Sequence, residues 1–186
     1  GAVTITPATT VTGAVTPTGG IAAAGGFTAR PSNIHSGGLP ARLSTDGTDV
    51  TPSITEMYYA AVFIPCNMTI TGVSYLAGTA TEGNVKVGLF NSAGANVATS
   101  ASTDCSSFTA DTYNRVSFTG TYAAKGPATY YVGLLNDNTG NRFNAHLFGD
   151  FPASKTTGET YATGFTTISS PATTFTASLG PYMSLF

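Results

Sequence analysis

Met57-Tyr58-Tyr59-Ala60-Ala61-Val62-Phe63-Ile64 is the strongest apolar run of the chain, and Pro65-Cys66-Asn67 ends it at once. A run so nearly continuous, rich in aromatic and β-branched side chains, predicts a strand covered on both faces. Thr69–Leu76 follows with Ile70 on one parity and Val73 and Tyr75 on the other, and Gly72 stands where a bulge makes that switch. These two segments set the grammar for everything downstream.

Val85, Val87 and Leu89 alternate with Lys86 and Gly88, and Asn91-Ser92-Ala93-Gly94 turns the chain into Ala95–Ser100 as a hairpin. Ser102–Thr112 reads as a polar loop holding Cys105 and Phe108. Arg115–Thr119 is a strand with Val116 and Phe118 inward. Thr129–Leu135 is the strongest strand signal after Gly126-Pro127, and Asn136–Asn141 is dense in turn residues before Arg142–Phe148. Three further β-prone pieces are expected at Thr160–Ile168, Thr173–Leu179 and Tyr182–Phe186. No window of helical length carries a 3.6-residue period. Strands at this spacing without helices predict an all-β fold, an antiparallel β-sandwich of jelly-roll type, over residues 51–186.

Residues 1–50 are different. Thr, Val, Pro and Gly alternate from Thr4 to Thr18, Gly19-Gly20 and Gly25-Gly26 bracket Ile21–Ala24, and prolines recur at 7, 17, 31 and 40. Such a stretch sustains neither a long helix nor a long strand. It reads as an extended N-terminal arm with short strands at Val3–Thr6 and Thr10–Val15, ordered by contact with a partner because it has too little apolar surface to fold alone.

Charged residues make up only 9% of the 186, and the net charge is −2. The basic residues are scattered singly, so neither nucleic acid nor an anionic membrane is an expected partner. The longest apolar run is too short to span a bilayer, and no basic and apolar leader opens the sequence. Weak charge repulsion favours association, which is read as surface buried between subunits. Cys66 and Cys105 fit either a disulfide or two free thiols, and the lack of an export signal favours thiols.

The nine acidic residues sit in or beside turn-rich segments, where capping of backbone groups explains them. Glu56 and Glu159 are the pair that a glycosidase reading would require to converge. Asp46-Gly47-Thr48-Asp49 offers two calcium ligands without the spacing of an EF-hand loop. His35 and His146 stand far apart and are expected to hydrogen-bond within a loop or strand. No G-x-S-x-G elbow or phosphate loop is present. No catalytic, cofactor-binding or metal-binding residue is therefore assigned, no cofactor is expected, and the chain is read as a non-enzyme. The strand tyrosines are expected in the core or at subunit interfaces rather than as sugar platforms.

Across residues 55–148 the chain is similar to β-sandwich modules of tailed-phage virion proteins. The likeness is carried by Val62–Pro65, Met68–Val73, Val85–Phe90 with Asn91–Gly94, Tyr113–Phe118 and Gly126–Val132. The flanks Arg30–Gly38 and Ser154–Tyr161 resemble proteins encoded alongside phage structural genes. The resemblance implies a virion location on the capsid surface, a role as decoration or cement protein bound to the major capsid protein, and a homo-oligomer, with a trimer matching local threefold points. The alternative it leaves open is a receptor- or glycan-binding module of a head or tail fibre, using the loops at Asn136–Asn141 or Ser102–Tyr113.

Overall fold

The Met57–Ile64 run is buried on both faces except at Phe63, which is exposed: one face packs into the core and the other under a later stretch of chain. In the computed structural model, which describes residues 34–36 and 47–186, eleven strands form three antiparallel sheets. They are β1 (Gly47–Val50), β2 (Glu56–Ile64), β3 (Met68–Leu76), β4 (Asn84–Phe90), β5 (Asn96–Thr99), β6 (Thr103–Asp104), β7 (Tyr113–Ala124), β8 (Ala128–Asn136), β9 (Phe143–His146), β10 (Ala153–Thr157) and β11 (Met183–Leu185). The larger sheet runs β10-β2-β8-β4-β5, with β6 also on β4; the smaller runs β11-β3-β7; β1 and β9 pair separately. The expected antiparallel β-sandwich is the fold.

The inner faces meet in one core. Val85, Val87 and Leu89 of β4 and Val132 and Leu134 of β8 pack against Ile70, Val73 and Tyr75 of β3 and Val116 and Phe118 of β7. Ile70 and Val73 differ in parity yet reach the same core, because the β3–β7 register shifts between Ile70 and Gly72. A Cβ on Gly72 would come within 2.5 Å of the Val116 carbonyl oxygen, so glycine is what lets the strands approach at the bulge. At one margin β7 leans on β5, where Thr119 Oγ1 donates to the Thr99 carbonyl at 3.1 Å. Elsewhere β9 is tied to the chain before β11: the Tyr182 and His146 amides donate to the Asn144 and Gly180 carbonyls, both at 2.9 Å.

The outer face of the larger sheet is covered by the chain itself. Met57, Tyr59 and Ala61 of β2, Phe90 of β4 and Tyr131 and Leu135 of β8 form a second cluster under Phe151, Tyr161, Phe165, Ile168 and Ala172. Gly88 and Gly133 are cross-strand partners, and together they form a floor for Phe165. A Cβ on Gly88 would stand 3.0 Å from that ring. Phe165 also meets Phe90 edge-to-face, with centroids 5.6 Å apart.

Three expectations are corrected. Thr160–Ile168 and Thr173–Leu179 are not strands; this segment crosses the sheet as a strap with single bridges at Thr167 and Phe175. Its Thr, Ser, Gly and Pro residues supply β propensity but no sustained alternation, and Phe165 and Ile168 act as plugs. Ala153–Thr157, which no sequence pattern assigns to an element, is the edge strand β10 beside β2. The Ser102–Thr112 loop contains the short strand β6.

Two parts of the stretch read as an arm lie on the sandwich. Gly47–Val50 forms β1, and Ile34–Ser36 lies along β11, where His35 bridges to Ser184 and the Leu185 amide donates to the Ile34 carbonyl at 3.0 Å. The expected strands Val3–Thr6 and Thr10–Val15 lie outside the described residues.

Candidate functional site

Two places gather polar side chains. The first is where Ile34–Ser36 meets β9 and β11. Ser36 is 1% exposed and His146 is fully buried. The Ser36 hydroxyl oxygen lies 2.8 Å from the Pro181 carbonyl, 2.9 Å from the Met183 amide and 3.0 Å from His146 Nε2. A carbonyl only accepts and an amide only donates, so the single hydroxyl proton goes to Pro181. His146 Nε2 must then carry the proton that fills the remaining lone pair of the hydroxyl. This assigns the tautomer and leaves Nδ1 as a bare acceptor, buried and without a partner among the described residues.

Around this contact, the Tyr182 ring lies over the imidazole with centroids 3.6 Å apart, and His35 meets Tyr113 edge-on at 6.1 Å. Burial, with a smaller contribution from His35, holds His146 down to about 4; burial also lowers His35 and raises the Tyr113 phenol. His35 and His146, read as unrelated, thus share one site. Their juxtaposition depends on the pairing of residues 34–36 with β11, which no local pattern encodes. A serine beside a histidine invites comparison with a hydrolase pair. Here the serine proton points away from the imidazole, no carboxylate among the described residues orients Nδ1, and the hydroxyl is inaccessible. Ser36 and His146 hold structure.

The second place is one end of the sandwich, where the loops around Ser102–Tyr113 and Asn136–Asn141 come together. Asn141 donates from Nδ2 to Asn136 Oδ1 at 2.7 Å and to Cys105 Sγ at 3.2 Å, and Tyr75 donates to Asn141 Oδ1 at 3.1 Å. This buried network fixes the loop roots. Burial pushes the Cys105 thiol up to about 11, and both cysteines are free. Outward of the network, Asp137 accepts from the Asn84 amide at 2.6 Å and from Asn84 Nδ2 at 2.7 Å. Tyr161 hydrogen-bonds Ser102, while Lys86 Nζ donates to the Tyr161 carbonyl at 2.8 Å and sits 4.4 Å from its ring centre.

The acidic candidates are engaged separately. Glu56 accepts from Lys155 at 2.7 Å and from the Tyr58 hydroxyl at 2.8 Å, and the Lys155 hydrogen bond leads in lowering its pKa. Glu159 accepts from the Thr166 amide at 3.1 Å and from its hydroxyl. Each carboxylate thus serves a local contact. Asp49 is held by Arg142 Nε at 2.6 Å and Thr79 Oγ1 at 2.8 Å, and Asp46 lies outside the described residues. Among the described residues, no three His, Cys, Asp or Glu side chains gather as metal ligands, and no helix is long and apolar enough to cross a membrane. Of the strand tyrosines, Tyr58, Tyr59, Tyr75, Tyr130 and Tyr131 are buried, as expected of core residues. No family model, curated protein or solved structure matches this chain.

Proposed function

We propose that this chain is a virion structural protein, a decoration or cement protein that binds the major capsid protein and stabilises the shell as a homo-oligomer. The supporting observation is an asymmetry between the two outer faces. The larger sheet is covered by the strap over 158–180, whereas the smaller sheet exposes Thr69, Thr71, Ser117, Thr119, Thr121 and Ala123, with Arg115 as its charged member. Threonine methyl groups on a nearly uncharged face lose little on being covered and retain hydroxyls to pair across an interface. Ile34–Ser36 supports the same reading, because strand addition at β11 anchors the preceding residues to a rigid body. Those residues can then contact a neighbouring subunit at high effective concentration.

The test is co-sedimentation with capsids lacking the protein, alongside sedimentation velocity for the oligomeric state. Removing residues 1–33, which spares the Ile34–Ser36 contact, is expected to abolish co-sedimentation while the sandwich stays folded. T71K and T119K should weaken it separately. Undiminished binding by the truncated chain and by both substitutions would overturn the proposal.

A second reading, a glycan-binding module, is favoured by one observation: the two loops that are its alternative sites lie together, beside Tyr161, Lys86 and Asp137. Saturable binding on a glycan array that is lost in Y161A would support it, and an array without hits would dismiss it.

A further inference from the structure

We propose that Ser36 and His146 form an acid-released latch, which ties Ile34–Ser36 to the β11 edge while the imidazole is neutral and lets the segment go when it is protonated. The serine hydroxyl is saturated. Its proton is committed to Pro181, and its lone pairs receive the Met183 amide and His146 Nε2–H. The neutral imidazole therefore satisfies Ser36 completely, at the cost of an orphaned Nδ1 acceptor in a fully buried ring.

Protonation places a second N–H at Nδ1, where no acceptor waits among the described residues, and creates a charge with no counter-ion among them. The groups that face it do not compensate. From the added segment comes His35, whose own charge repels; from the chain before β11 comes Tyr182; from the start of β7 comes Tyr113, against His35. Gly47 of β1 lies opposite His146 without a side chain to contribute, and Asp49 on that strand is taken by Arg142 and Thr79. Asp150, in the loop after β9, is exposed.

The weakest element touching the charged ring is the one that yields. β9 is held along its length by β1 and by the chain before β11. Ile34–Ser36, by contrast, is joined to β11 by the His35–Ser184 bridge, the Leu185 amide bond and the serine itself. Moving this segment lifts Ile34, its core side chain, and admits water to the imidazole without breaking a strand pair of either sheet. The device goes beyond the proposed capsid role and does not depend on it: it sets whether the residues before Ile34 are anchored, whatever they contact.

The test uses the full chain. Nitrogen-15 NMR of the histidine rings reads the tautomer and its titration, and hydrogen exchange, corrected for intrinsic rate, reads the Met183 and Leu185 amides against Val132 in β8. The expected result is an Nε2–H tautomer at neutral pH. Protection at Met183 and Leu185 should then fall about tenfold or more as His146 titrates between its ordinary value and about 4, and should stay well below that of Val132, which reads global unfolding alone. H146Q, whose amide donates at the same place but does not titrate, should remove the pH dependence. S36A should lower protection at both amides already at neutral pH. Protection that persists through His146 titration, an unchanged pH profile in folded H146Q, or protection of Leu185 equal to that of Val132 at every pH would overturn the latch. Should H146Q fail to fold, the wild-type titration and S36A decide alone.

Discussion

Replacing Phe165 by alanine tests whether the strap is held by one aromatic plug. The ring rests on the floor made by Gly88 and Gly133 and meets Phe90 edge-to-face at 5.6 Å. A fully buried Phe→Ala change costs about 3–5 kcal/mol. Phe165 is only half-buried, so about 2–3 kcal/mol is expected. The loss should be partly local. Without the plug, the strap lifts and uncovers Met57, Phe90, Tyr131 and Leu135, giving a rise in binding of an apolar dye before the main unfolding transition. Urea unfolding by fluorescence and circular dichroism reads the global term, and dye binding reads the local one. Gly88→Ala pushes a methyl group towards the same ring and should cost about 1–2 kcal/mol as overpacking. If both act through this one contact, the double variant must fall short of the sum of the single effects. Additive losses, or a Phe165→Ala cost below about 0.5 kcal/mol, would refute the socket.

Four other outcomes follow from contacts already described. Folded His146 has a lowered pKa, so the unfolded chain binds more protons as pH falls below the ordinary histidine value. Stability should therefore be full above about pH 6.5 and decline by about 3 kcal/mol as pH approaches 4, in a pH series of urea melts; H146Q should flatten this decline. Ser36→Ala strands the Met183 amide and the Pro181 carbonyl and should cost about 2–3 kcal/mol by thermal or urea unfolding. Lys155→Ala removes the exposed partner of Glu56 and should change stability by less than about 1 kcal/mol, shrinking further in high salt. A disulfide reagent at pH 8 should modify Cys66 in the native protein while Cys105, buried with its thiol pushed up to about 11, reacts only after denaturation.

The strands were legible where the sequence carries a period. Val85, Val87 and Leu89 announce their inward face by alternation, and Gly72 announces the break in parity between Ile70 and Val73. Ala153–Thr157 escaped notice because an edge strand whose Lys155 and Thr157 face solvent has no apolar rhythm to display. Thr160–Leu179 misled in the opposite direction: threonine favours strands in general, yet nothing in that stretch repeats at every second residue. The polar sites are harder still. Ser36 and His146 are 110 positions apart, and what brings them together is a pairing to β11 that depends on the finished sandwich. The Ser102–Tyr113 and Asn136–Asn141 segments were legible as loops from their turn residues, but their meeting at one end follows from the strand order of the sheet, which no local pattern encodes.

The position of β11 has a kinetic consequence. This late strand lies between β3 and Ile34–Ser36, so the seam joins segments 147 residues apart, as between Met183 and Ser36. On the ribosome, β3 and β7 emerge long before their neighbour exists, and β3 waits with one margin unpaired. Closure of such a distant loop is slow and late. The half-built sheet is therefore the stage at which newly made chains are most prone to stick to one another, and faster translation through the strap should shorten that window.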